Sequence, residues 1–448
     1  MARIDGGDTG WMLVATALVM LMTPGLAMFY GGMVRRKNVL GTMMQSLMAL
    51  ALISIQWVLF GYTLAFGVTA GGVIGSLDWL GLHGVGVAAN DGYAPTIPHL
   101  LFMAFQMMFA IITPALIFGA VAERMKFKAF LIFMLLWATL VYDPLAHWVW
   151  GVGGWLRGMG ALDFAGGLVV HISAGFTALA AALLLGRRRG YPQEPMPPHN
   201  LSLTVIGAAL LWFGWFGFNA GSALGANGLA AIAFVNTNTA AAAAVLCWVF
   251  IEWWKQGKPT VLGAVSGAVA GLVAVTPAAG FVEPWAAILI GLAAGGVCYG
   301  AVNLRFRLGY DDSLDAFGVH GVGGALGALL TGVFASKAVN PAGANGLLYG
   351  NPHQFMIQLL SISIVIIFVM LASLVLLKVT DLLVGLRLEH GAEVDGMDLS
   401  EHGERGYHLG DISVGHGHAM PAATRDTLST SPVTLNVLHV PLRAEPEG

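Results

Sequence analysis

Residues 163–171 read Asp163-Phe-Ala-Gly-Gly-Leu-Val-Val-His171, and residues 315–324 read Asp315-Ala-Phe-Gly-Val-His320-Gly-Val-Gly-Gly. Each stretch opens a long apolar run with an acid near its start and an imidazole deeper in. An ionisable group inside an apolar span is costly and marks a functional site by default. The two runs are the fifth and tenth of eleven along the chain. Odd spacing means that they cross a membrane in opposite directions. This is the pattern of an inverted repeat, with spans 1–5 mirrored by spans 6–10, and such repeats place substrate sites near the midplane. At 1.5 Å per residue, His171 lies roughly 12 Å below Asp163. His320 lies somewhat less deep from the opposite side. Two imidazoles meeting there can share a proton. Two unrelated histidines, each bonded to a neighbouring helix, would fit the same positions.

Composition supports the membrane reading. Of 448 residues, 57% are hydrophobic and 10% charged, whereas a soluble domain is about 25% charged. So few charges cannot cover a water-facing surface of this size. A membrane helix needs about 20 mostly apolar residues. Eleven such runs lie near 11–32, 40–66, 97–121, 128–150, 163–185, 201–222, 229–253, 260–279, 284–303, 314–335 and 355–385. The expected fold is therefore an all-α integral membrane protein: eleven transmembrane helices, five plus five in an inverted repeat, with a final long helix.

Lys and Arg crowd one set of alternate loops, among them Arg35, Arg36, Lys37, Arg124, Arg187, Arg188, Arg189, Lys255, Lys258 and Arg305. The other set holds only Arg157 and Lys337. By the positive-inside rule the N-terminus is outside and the C-terminus cytoplasmic. Residues 1–10 read as an extracytoplasmic tail and 11–386 as the membrane domain. Residues 387–410 read as a cytoplasmic regulatory tail, and 411–448 as an extension disordered by composition. The first apolar run is long and lacks a basic leader, so it reads as a retained span rather than a signal peptide. The net charge of −3 gives no sign of a nucleic-acid partner. Cys247 and Cys298 fall inside apolar runs and read as small buried hydrophobes, with no disulfide, metal site or cofactor implied.

Span 8 carries Gly263, Gly267 and Gly271, and span 9 carries Gly291 and Gly295. Small residues at this spacing let membrane helices approach closely, so these glycines read as packing. Asp163 fits a helix cap as readily as a part in orienting the histidines. Asp143 and His147 in span 4 read as a wet structural pair near its outer end. Span 6 is aromatic, with Trp212, Phe213, Trp215, Phe216 and Phe218, and span 3 adds Phe105 and Phe109. Such rings usually pack, but an aromatic face also binds a small cation through its quadrupole.

The strings MTPGLAMFYGG (22–32), AFQMMF (104–109), GAVAER (119–124), DFAGGLVVH (163–171), WFGFNAGS (215–222), AFVNT (233–237), VTPAAG (275–280), FGVHG (317–321) and VGLRL (384–388) occur in this order. Together they resemble the Amt/MEP/Rh ammonium transporters, specifically the bacterial Amt branch, over essentially residues 11–410. The resemblance implies a homotrimer in the inner membrane with a pore in each subunit. It implies that Phe109, Trp150 and Ser222 recruit ammonium at an outer vestibule, and that Phe109 and Phe218 stack as a gate with Phe105 and Trp215 nearby. His171 and His320 would line the pore below as twin histidines, and Asp163 would support recruitment structurally. Ammonium would lose its proton and pass as ammonia, with or without that proton following. A cytoplasmic PII signal protein is the implied partner, and no enzymatic activity is implied. Two other functions compete: an ammonium sensor acting through a cytoplasmic partner, and a Rh-like gas channel. Trp150 and the string WFGFNAGS argue against the second.

Overall fold

A computed structural model describes residues 4–407. The expectation of disorder for 411–448 lies outside the described residues, as do the last residues of the regulatory tail, 408–410. Eleven apolar helices follow one another: α1 (Gly6–Met33), α2 (Arg36–Phe66), α3 (His99–Val121), α4 (Phe127–Met159), α5 (Gly167–Leu185), α6 (Leu201–Gly221), α7 (Gly228–Gln256), α8 (Val261–Val275), α9 (Pro284–Leu308), α10 (Phe317–Phe334) and α11 (Pro352–Val384). Among the described residues, ten of these are long and apolar enough to cross a membrane. The exception is α8, helical for only 15 residues. Span 8 was expected to run to residue 279. Pro277 has no amide hydrogen to donate, and the chain leaves the helix there through turns. Between α2 and α3, two small antiparallel hairpins form, β1 (Thr69–Ala70) with β2 (Ile74–Gly75) and β3 (Ala89–Asn90) with β4 (Ala94–Pro98).

The glycine stripes of α8 and α9 do pack helices. A methyl on Gly271 would strike the Ala240 carbonyl and the Ala244 methyl of α7, and one on Gly295 the Ala244 carbonyl. Both helices thus lie against the alanine-rich middle of α7, backbone close to backbone, as small residues permit. The crossing of α5 and α10 is tighter. A methyl on Gly175 would overlap the Gly321 backbone, and one on Gly324 would meet the His171 Cβ.

After α11 the chain turns back under the helix ends. The Leu386 carbonyl accepts from Lys126 N–H at 2.9 Å, and Leu388 N–H donates to the Arg124 carbonyl at 2.9 Å. Two short helices follow, α12 (His390–Asp395) and α13 (Met397–His402). Asp398 accepts from Gly41 N–H at 2.9 Å and Glu401 from Phe127 N–H at 2.8 Å. Tail carboxylates therefore supply acceptors for first-turn amides of α2 and α4, where orphan donors and the helix dipole favour negative charge. Beside this tail, Glu123 is bridged by Arg35 at 2.7 Å and Arg188 at 3.4 Å, and Arg188 also grips Asp311 at 2.9 Å.

Candidate functional site

The fifth and tenth helices begin alike. Asp163 accepts four backbone N–H bonds, from Gly166, Gly167, Leu168 and Val169, at 2.6–3.1 Å. Asp312 accepts from Ala316 and Phe317 at 3.0 and 2.8 Å. Each helix then widens into a π-helical turn, Gly167–Ile172 and Phe317–Gly321, that holds its histidine. Such turns recur at functional sites. The pairing of Asp163 with Asp315 expected from the sequence is therefore corrected. Asp312, eight residues before His320 as Asp163 is before His171, is the matching cap. Asp315 adopts a left-handed backbone conformation (φ 61°) and pairs with Arg305. Counted from these caps, the two histidines stand equally far along the chain, eight residues each. Asp163 is a cap, with both oxygens occupied.

His171 and His320 meet. Their Nδ1 atoms are 3.3 Å apart, and the rings lie 5.3 Å apart at 22°. One Nδ1 must carry the proton and donate while the other accepts, so the pair is matched when both rings are neutral. Both residues are buried, and His171 Nε2 has no protein partner. His171 also stacks on Trp215 at 5.5 Å, whose indole N–H donates to Thr276 Oγ1 at 2.9 Å.

Next to the pair stands an aromatic barrier. Phe109 and Phe218 lie 4.2 Å apart at 33°, Phe105 packs edge-on against Phe109 at 5.0 Å, and Trp150 meets Phe109 edge-on at 6.0 Å. The Trp150 indole N–H donates to the Asp163 carbonyl at 3.0 Å. The cap of α5 thus orients the tryptophan ring.

Three cavities lie in a row. The widest, about 420 Å³, is lined by Phe109, Trp150, Asp163, Ser222, Gln106 and Phe281, among others. Past Phe218 a mostly apolar space of about 10 Å³ is lined by Trp215, His171 and His320 with Leu26, Ile112 and Val269. That is room for about one water. His320 also borders a third space with Tyr30, Ser266 and Asp315. Asp163 lines the first cavity and Asp315 the third, so α5 and α10 start at opposite ends of this row.

Of the candidate site residues, Phe109, Trp150, Asp163 and Ser222 line the wide cavity and His171, Trp215, Phe218 and His320 the small one, while Phe105 lines neither and packs against Phe109. In α6, Phe213 points outward, and Phe216 stacks on Phe234 at 4.0 Å. The sequence reading did not single out Asp312 or Thr276. The eight-residue spacing was a signal for Asp312, whereas Thr276 showed none. The wet Asp143–His147 pair is not found. Both are fully buried and separately bonded, Asp143 to Gln56 at 2.7 Å, and His147 to the Ala65 carbonyl and Thr69 at 3.0 and 2.9 Å.

A multi-pass helical membrane protein with cavities on either side of a narrow, aromatic and histidine-lined constriction belongs to the class of small-solute transporters. Residues 10–407 match the model of the Ammonium Transporter Family. The chain belongs to that family. It is 55% identical over 402 residues to the ammonium transporter of Bacillus subtilis, covering 90% of this chain and 98% of that one. The crystal structure of Saccharomyces cerevisiae Mep2 superposes with a TM-score of 0.82 at 38% identity, covering 87% and 88% of the two chains. A structure described as "Sensor Amt Protein" gives a TM-score of 0.81 at 28% identity, covering 88% and 98%.

Proposed function

We propose that this chain carries ammonium across the membrane, recruiting the cation beside Phe109, Trp150 and Ser222 and passing it as ammonia along His171 and His320. The observation that carries the reading is the contact of two buried imidazoles from different helices in a narrow, mostly apolar constriction between cavities. Family membership and the ammonium transporter of Bacillus subtilis give it its substrate.

The physics of ammonium fits such a passage. A full charge in the membrane interior costs several kcal/mol unless polar groups replace its water. If ammonium titrates near the lysine value of ~10.4, neutralising it at pH 7 costs roughly 4–5 kcal/mol at about 1.4 kcal/mol per pH unit. The two costs are similar, so an apolar barrier favours loss of the proton as the cation sheds water. At the wide cavity the Phe109 and Trp150 rings offer quadrupole attraction and Ser222 an oxygen. Beyond Phe218, neutral ammonia needs only weak partners, and the free His171 nitrogen is one. Potassium has a similar charge but no proton to give up, so it meets the full desolvation penalty.

The same reading makes the wide cavity extracytoplasmic and the tail cytoplasmic, as the loop charges require. It treats α1–α5 and α6–α10 as inverted halves, and places the protein in the inner membrane as a trimer with one route per subunit. It takes a PII signal protein as the cytoplasmic partner, with Arg187–Arg189, Lys255, Lys258 and the tail as landing surface. Likeness to the protein described as a sensor favours a second reading, ammonium sensing through such a partner.

Purified protein in liposomes tests the transport reading. Saturable ammonium uptake without potassium uptake is expected. No ammonium flux above protein-free vesicles would contradict it and leave sensing.

A further inference from the structure

Among the polar side chains that line the wide cavity, Gln106 is the one with a buried acceptor that lacks a partner. Gln106 lines it from α3, one helical turn before Phe109. Its amide oxygen is buried and has no hydrogen-bond partner. The neighbouring polar groups are committed elsewhere: the Tyr93 hydroxyl donates to the Phe66 carbonyl and the Arg157 guanidinium to the Trp150 carbonyl, each at 2.7 Å. Both Asp163 oxygens accept backbone N–H bonds, the Trp150 indole donates to a carbonyl, and the Ser222 hydroxyl donates to the Phe218 carbonyl at 2.8 Å.

An ammonium ion brings four N–H donors and needs acceptors. Aromatic faces supply one kind of attraction and the Ser222 lone pairs another. The Gln106 oxygen is an unpaired acceptor beside the same cavity. Leaving such an oxygen buried and unpaired costs free energy, and a charged donor recovers more than a neutral one. The terminal torsion of glutamine is soft and roughly two-fold, so a turn of the amide plane brings the oxygen to the cavity without moving the helix.

We infer that Gln106 is a further substrate-binding residue of the wide cavity, its side-chain carbonyl accepting an N–H from the cation held by Phe109, Trp150 and Ser222. This rests on the recruitment reading above. A carbonyl binds any small cation, so Gln106 acts on the strength of capture. Selectivity arises later, where the proton is lost.

The test is ammonium flux against concentration for the full chain in proteoliposomes, comparing Gln106→Leu, Gln106→Glu and Trp150→Leu. Gln106→Leu should raise the half-saturating concentration by about tenfold, the loss of one hydrogen bond to a charged group, while maximal flux changes far less. Gln106→Glu should lower it, with a steeper dependence on ionic strength. If Gln106→Leu leaves half-saturation unchanged while Trp150→Leu raises it, Gln106 has no such role and recruitment at the aromatic site stands. If neither changes it, both readings fall. Should Gln106→Leu not fold, Gln106→Glu decides alone, and an unchanged half-saturation there overturns the inference.

Discussion

Gly175 in α5 and Gly321 in α10 touch backbone to backbone, and this crossing sets the meeting of the histidines. His320 directly precedes Gly321, and a methyl on Gly175 would reach into its carbonyl carbon as well as the Gly321 amide. Overpacking a tight crossing costs typically 1–3 kcal/mol. Gly175→Ala should lower the melting temperature in detergent and reduce ammonium flux, because the helices must separate where the imidazoles meet. Gly300→Ala, where the methyl would meet nothing within 4 Å, is the matched control. Equal melting and flux for the two variants would show that the crossing is not constrained.

A second prediction concerns pH. Burial works against ionisation of Glu123, but the Arg188 and Arg35 guanidiniums outweigh it and hold its carboxyl below the usual range. Asp311 is likewise opposed by burial and held down by Arg188 and Arg124. A carboxyl whose folded pKa is depressed contributes stability above its unfolded pKa and loses it as pH falls through the folded value. Glu123 and Asp311 should therefore contribute no pH dependence to melting from neutrality to about pH 4.5 and a growing loss of stability below that. Asp311→Ala leaves the buried Arg188 guanidinium with only the longer contact to Glu123 and should cost about 3 kcal/mol at pH 7. Its acid limb should be shallower than the wild type's, and the pH dependence of melting checks both points.

How much of this was legible in sequence depends on the physical signal. Runs of apolar residues and the asymmetry of basic loops are compositional, so the helices were found with ends off by a few residues. The two histidines stood out because charge-bearing groups are rare in such runs. The acid of the tenth helix was misassigned because Asp311, Asp312 and Asp315 crowd the same turn. Hydrogen bonding to first-turn amides decides among them, and composition does not record it. The same blindness made Asp143 and His147 a wet pair. Their i,i+4 spacing puts them on one helix face, while their partners, Gln56, Ala65 and Thr69, come from α2 and the β1 hairpin.

The tail yields a third prediction. Removing residues after Arg387 deletes Glu393, which pairs with Arg387 at 2.9 Å, and Asp398 and Glu401, which serve α2 and α4. Losing two such caps costs about 1 kcal/mol each. The truncated protein should transport poorly and fail to capture a PII protein in a pull-down, whereas removal of residues after Asp411 should spare both. Undiminished capture by the shorter chain would separate docking from the tail.

The central claim is that His171 and His320 conduct ammonia and exclude cations that cannot give up a proton. Its most direct test compares ammonium and potassium currents across membranes holding the wild-type protein, His171→Ala or His320→Ala. Each substitution removes one ring of the 3.3 Å contact. The account predicts that either variant loses ammonium flux or begins to admit potassium. Wild-type ammonium flux with potassium still excluded, in both variants, would contradict it.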